Sequence, residues 1–247
     1  MSPRRSAWVL VAVALLAFLV SLVMKAPASA VHAFAVAPIQ LGSYRGSLWH
    51  GDASLAARGI PIGSLTWRLS APPLLAGRLV LKLELDGEHA AASGQLSHSF
   101  LRNRTEVSQV QGDIALALLA SVTRMERTVD ANIHLQGLAL SLEQGRITAA
   151  SGQARLGAVT VIRPQRQHLG DYSLALRMIS DNPGVEVTDW SGPLAVTGQA
   201  WMEPTGAWYL DLRLRADAGH ANLRSVLSVV GEPEADGWTP MELRVTR

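Results

Sequence analysis

From Gly46 onward the chain is built of short glycine-bounded pieces in which apolar and polar side chains alternate. Leu65, Trp67 and Leu69 alternate with Thr66 and Arg68, and Leu81, Leu83 and Leu85 alternate with Lys82, Glu84 and Asp86. Much later, Trp208, Leu210, Leu212 and Leu214 alternate with Tyr209, Asp211, Arg213 and Arg215. A period of two sends successive side chains to opposite faces of an extended segment, so each piece is a strand with one apolar face and one wet face. Glycines at 46, 51, 59, 63 and 77 cut the first part into a meander, and Asp86-Gly87 signals the end of the strand from Leu79. Trp49 and Trp67 must be covered by something, because indole rings bring large apolar areas to a sheet.

The same reading extends to the C-terminus, with about eight to twelve strands expected. Gly94 interrupts an alternating piece and marks a bulge or a close approach. Two stretches depart from period two. Ile114 to Val122 is rich in alanine and leucine and follows Asp113, which predicts a short helix capped by that aspartate. Leu223, Val226, Leu227 and Val230 recur at helical spacing and stop at Gly231, ahead of Pro233. The expected fold is therefore mainly β: an antiparallel β-rich domain over residues 26–247 with two short helices, arranged as a curved sheet or a sandwich, or as two related halves. The 48% apolar content is ample for a core, and with no cysteine the fold relies on burial and backbone pairing alone.

The first residues read differently. Arg4 and Arg5 precede an apolar run from Ala7 to Met24, broken only by Ser21 and closed by Lys25. As a helix this run rises about 27 Å, close to the roughly 30 Å hydrocarbon core of a bilayer. No further arginine occurs before Arg45. The positive-inside rule then predicts a cytoplasmic tail at residues 1–5, a transmembrane helix at 6–25 and an exported body beyond. Ala26-Pro-Ala28 and Ala28-Ser-Ala30 have the form of signal-peptidase sites, so a cleaved signal is the competing reading; the run is longer than a usual signal core.

Searching the exported body for chemistry finds little. Seven histidines are scattered without a His-x-x-x-His pair, and His50 with Asp52 is the nearest approach to a ligand cluster. Glu84, Asp86 and Glu88 are spaced by two along a solvated face, whereas acid–base work needs one carboxylate desolvated against another. No Gly-x-Ser-x-Gly elbow, phosphate loop or dinucleotide fingerprint is present, so no enzyme class, metal or cofactor is implied. A net charge of +2, without a basic run interleaved with aromatics, argues against nucleic acid. Trp49, Trp67, Leu69 and Trp208 stand out as core anchors of the sheet or as positions that dock a partner or face lipid.

Several of these residues carry a family resemblance. Gly46-Ser-Leu-Trp-His-Gly51, the strand Leu65-Thr-Trp67-Arg-Leu69 followed by Pro72 and Leu74-Leu75-x-Gly77, the Gly170-x-Tyr172 pair, and the late helix ending at Gly231 before Asp236-Gly237 make the chain similar to protein N of the type II secretion system. The resemblance implies a single-pass inner-membrane protein with a periplasmic β-domain. Such a protein would be an accessory part of the machine that exports folded proteins, with other machine components as partners and no catalytic residues. Gly51-Asp-Ala-Ser-Leu, Trp67 and Leu74-Leu75 also give a weaker likeness to AsmA-like envelope proteins, which implies a β-groove that binds or passes lipid.

Overall fold

The computed structural model describes residues 27–29, 39–123, 128–163 and 166–245. The proposed transmembrane helix at 6–25 lies outside them, and among the described residues no helix is long and apolar enough to cross a membrane. The elements are β1 (Ile39–Gly46), β2 (His50–Ala57), β3 (Ile60–Leu69), α1 (Ala71–Leu75), β4 (Arg78–Gly87), β5 (Ala90–Ser99), β6 (Arg104–Ala115), α2 (Leu116–Thr123), β7 (Val129–Glu143), β8 (Arg146–Val161), β9 (Gln167–Ile179), β10 (Asn182–Ser191), β11 (Leu194–Met202), β12 (Trp208–Ala216), α3 (Ala221–Val230) and β13 (Thr239–Val245).

All 13 strands belong to one antiparallel sheet, paired in strict sequence order. The mainly β expectation holds, whereas the sandwich does not form: each strand is hydrogen-bonded to the next one in the chain, and none crosses to a second layer. Three of the turns are two-residue hairpins in which both residues have positive φ, at Arg58-Gly59, Gln144-Gly145 and Ser180-Asp181. That backbone matches the right-handed twist of the flanking strands.

The helices differ from expectation in number and in one start. A third, α1, is a single turn with prolines in its first turn, where a missing N–H costs no helical hydrogen bond. The strand β6 continues through Asp113 to Ala115, so α2 begins at Leu116 and Asp113 does not cap it. Asp113 instead accepts a 2.7 Å hydrogen bond from His134 Nδ1 on β7, so His134 has a partner as well as solvent. Helix α3 ends where expected, and the Gly231 N–H donates to Leu227 O at 3.0 Å, from extended rather than left-handed backbone.

The register sorts the side chains cleanly, because directly paired residues share a face. Leu65 lies beside Ala53 and Leu85, Leu81 beside Leu69 and Leu96, Leu96 beside Val107, Val107 beside Leu140, and Leu140 beside Ala150. Val185, Ala200, Leu210 and Leu243 continue the row to the last strand. On the other face run Asp52, Thr66, Glu84 and Ser93, and later Glu186, Gln199, Asp211 and Glu242. The alternation read from the sequence thus becomes one continuous apolar face and one continuous polar face.

The sheet is not flat. Residues of β8 and β10, and of β9 and β11, approach within 8 Å across the strand between them. A flat sheet would hold them roughly 9.6 Å apart, twice the strand spacing, so it bends here. Bulges interrupt β6–β7, β7–β8 and β8–β9 pairing, and Gln109 and Ala158 take positive φ at two of them. Extra residues on one strand of a pair bend it and increase its twist. Inside the bend Ala131, Val159 and Tyr172 form a buried cluster, joined by Leu116, Leu169 and Val196. A second cluster seats Leu223 and Leu227 of α3 on Leu194 and Leu214. We call the end that carries α2 and α3 the helical rim, and the opposite end, with α1 and the β1–β2, β5–β6, β7–β8, β9–β10 and β11–β12 connections, the turn rim.

Candidate interaction surface

Of the two glycines that bound the first motif, Gly46 lies against the backbone of His50 and Gly51, and Gly51 seats a ring. A side chain at Gly51 would bring its Cβ to 2.7 Å from Trp67 Cζ2, so the indole lies flush on the backbone there. Trp67 is 2% exposed, and its Nε1–H donates to Ser47 O at 3.2 Å. Ala28, from the short segment at 27–29, is also buried and packs with Ala53 and Trp67, while Leu41, Tyr44, Leu81 and Leu83 complete the cluster. Leu69, two residues along β3, is half-buried, and its N–H donates to the carbonyl of Trp49 at 2.7 Å. Trp49 is itself half-buried.

The structure therefore brings Trp49, Trp67 and Leu69 together, and it places the fourth singled-out residue elsewhere. Trp208 starts β12, paired with Met202 and Val245, and remains 42% exposed. His50 pairs with Arg68 at the start of β2, and Glu84 and Asp86 stand exposed on the polar face. Among the described residues no group of three His, Cys, Asp or Glu side chains could hold a metal ion.

What the apolar face offers instead is contact area. Among the described residues no large side chain is fully buried, and most leucines and valines of the sheet are only half-buried, since no second sheet covers them. Between β3 and β6 this face is hollowed into a groove of about 230 Å³ lined by Leu65, Leu83, Leu85, Leu96, Val107 and Val110. Gly94 widens it: a Cβ there would sit 3.1 Å from Val110 Cγ2, opposite a bulge between Ser93 and Gln95. The polar face of the same strands carries a hollow of about 270 Å³ lined by Thr66, Arg68, Lys82, Glu84, Gln95 and Gln111. One groove suits hydrocarbon and the other suits water, from the same alternation.

Tyr172 was invisible as a special residue except within its glycine pair. It is 5% exposed, and its hydroxyl donates to Leu194 O at 2.9 Å, tying β9 to the start of β11 across β10. Burial, with Asp189 and Asp171 nearby, pushes its phenol well above the ordinary tyrosine range, so it stays a neutral donor. Asp171 beside it accepts from Ala158 N–H at 2.7 Å and from Ser191 Oγ–H at 2.9 Å. The backbone hydrogen bond, then the Ser191 hydroxyl, holds its carboxyl below the usual range.

A family model for type II secretion system (T2SS) protein N matches residues 37–242, which takes in every strand. The chain belongs to the type II secretion system protein N family. Neither the curated proteins nor the solved structures contain a match to it. The family model begins just before β1 and ends inside β13, so it spans the 13-stranded sheet apart from the last residues of β13. Family membership makes the chain an accessory component of type II secretion.

Proposed function

We propose that this family member acts without catalysis, held in the inner membrane by residues 6–25, with residues 26–247 in the periplasm as the part that touches other secretion components. The family match over the whole sheet carries this reading. The arginines before the apolar run and the sheet that follows it are consistent with one anchor and one exported body. Within it, Trp67 and Leu69 serve as core anchors, and Trp49 and Trp208, whose rings keep accessible surface, are contact positions. Deleting the gene should leave secreted proteins stranded in the periplasm, and normal export in the deletion strain would refute the reading. A reporter enzyme active only in the periplasm, fused after Arg247, should be active.

The apolar groove favours a second reading, an envelope module that binds or passes lipid as AsmA-like proteins do. A half-covered row of leucines and valines, with only apolar side chains pointing into its groove, is suited to acyl chains. Native mass spectrometry of the purified chain should then reveal a bound phospholipid, and a lipid-free spectrum would count against this alternative.

A further inference from the structure

The turn rim carries an uncovered apolar tip. Among the described residues the two most exposed large apolar side chains are Leu75 at 95% and Leu101 at 87%; Phe100 beside them is 59% exposed, as is Trp190 at the other rim. They come from two separate connections, α1 and the β5–β6 turn, which the fold holds together. Phe100 N–H donates to Gly77 O at 3.1 Å, and a Cβ on Gly77 would lie 3.7 Å from Leu101 Cγ. Single exposed leucines are ordinary, but a group from two joined turns is a patch.

Cations stand behind the patch. A hollow next to Leu101 is lined by Arg78, Arg102 and Arg104 with Glu106, whereas Arg146 on the next turn shares a separate hollow with Asp181 and Glu203. Arg104 is engaged by Glu106 at 2.8 Å and Glu143 at 3.1 Å, while Arg78 is 3.7 Å from Glu106. Beside Leu101 itself, three arginines, Arg78, Arg102 and Arg104, against Glu106 and Glu143 leave one positive charge at the apolar tip. Apolar side chains ringed by arginines match a bilayer surface with anionic headgroups: the tips enter the acyl boundary and the guanidinium groups meet phosphate.

The position of the chain's entry selects this partner over a protein. Pro27 pairs with Ser47 on the β1–β2 turn, so the chain joins the body at the turn rim, two residues after Lys25 closes the apolar run. The Leu69–Trp49 hydrogen bond connects that turn to the strand leading into α1. An anchor leaving the membrane here would hold Leu75, Phe100 and Leu101 next to the same bilayer at high effective concentration, so a weak insertion suffices.

We infer that the turn rim, through Leu75, Phe100, Leu101, Arg78 and Arg102, rests on the anionic surface of the membrane that holds the chain, with the helical rim pointing away. This rests on the anchor reading above. The chain has no cysteine, so one introduced cysteine carries a single environment-sensitive dye. Full-length Leu101→Cys and, at the helical rim, Glu88→Cys would be labelled and reconstituted in phosphatidylethanolamine–phosphatidylglycerol vesicles with a spin-labelled lipid quencher. At 101 the dye should shift to the blue and lose most of its emission, while at 88 it should report water and stay bright. Arg78→Glu with Arg102→Glu should restore emission at 101. A dye at 101 that stays bright while the chain floats with the vesicles overturns the docking and spares the anchor; a chain that does not float overturns both. Shielding of 101 from iodide without lipid quenching would assign the patch to a protein partner and overturn the proposal. Quenching unaffected by the arginine reversals would overturn the role of charge.

Discussion

The two rims of the sheet are made of the same alternating strands but are covered to different extents, although Trp190 and Val226 stay exposed at the helical rim as well. At the helical rim, α2 and α3 fold back over the apolar face, and Leu118, Leu194, Leu214, Leu223 and Leu227 are buried. At the turn rim only the Trp67 cluster is closed, and Leu75, Phe100, Leu101, Trp208 and Val245 stay exposed. The difference does not lie in the strands, whose register carries the apolar row from rim to rim. It lies in what connects them: the longer helices α2 and α3 cover the face, whereas the tight turns and the single-turn α1 leave it open. Stability should therefore concentrate at the helical rim and in the bend, while the turn rim is left available for contact.

Mutations can break or sharpen this contrast. Tyr172→Ala should cost about 3–5 kcal/mol, the usual range for deleting a buried aromatic ring, measured by urea unfolding; Trp67→Ala should match it, because that cluster is the one closed part of the turn rim. Leu227→Ala should cost about 2–5 kcal/mol. Tyr172→Phe keeps the ring but strands the Leu194 carbonyl, and a loss of about 1–3 kcal/mol is expected. A smaller effect concerns acid. Asp171 has a lowered native pKa, so its contribution is complete above its ordinary value of 3.8 and disappears as pH falls through the native value. Asp171→Asn should thus be less stable than the parent at neutral pH and approach it in strong acid, as followed by melting temperature against pH. Last, Leu75→Ala and Leu101→Ala should change stability by no more than about 0.5 kcal/mol. If they cost as much as Leu227→Ala, the two rims are equally packed and the contrast fails.

Much of the sheet was legible because period two is a local property. The rows from Leu65 to Leu69, Leu81 to Leu85 and Trp208 to Leu214 face as the sequence says, and Gly94 does sit at a bulge with a close approach. Even the turn after β4 falls next to its signal, at Glu88-His89, with Gly87 still paired to Ala90. Period two assigns a face but says nothing about how many layers the strands form, so a sandwich and a single sheet read alike. Asp113 looked like a helix cap because Asp before an apolar run is a capping signal; the β6–β7 pairing and His134 claimed it first. Pro72-Pro73 read as part of the meander, although prolines suit the first turn of a helix. The bend was only partly signalled: Gly137 takes positive φ at one bulge, but two others use Gln109 and Ala158, residues with no sequence preference for positive φ. The four singled-out positions read alike as core or contact residues because period two gives only a face, and the exposed tip at Leu75 and Leu101 left no sign, since exposure of a turn leucine leaves no periodic trace.

The strict sequence order of the strands has an architectural corollary. Because pairing is only between successive strands, excising a whole hairpin, such as β4 with β5, brings together two strands that still run in opposite directions with matching sidedness. Width is accordingly a modular quantity in this architecture, adjustable two strands at a time. The stretch from β8 to β11 is exempt, since there the backbone of one strand leans on its second neighbour and the modules interlock.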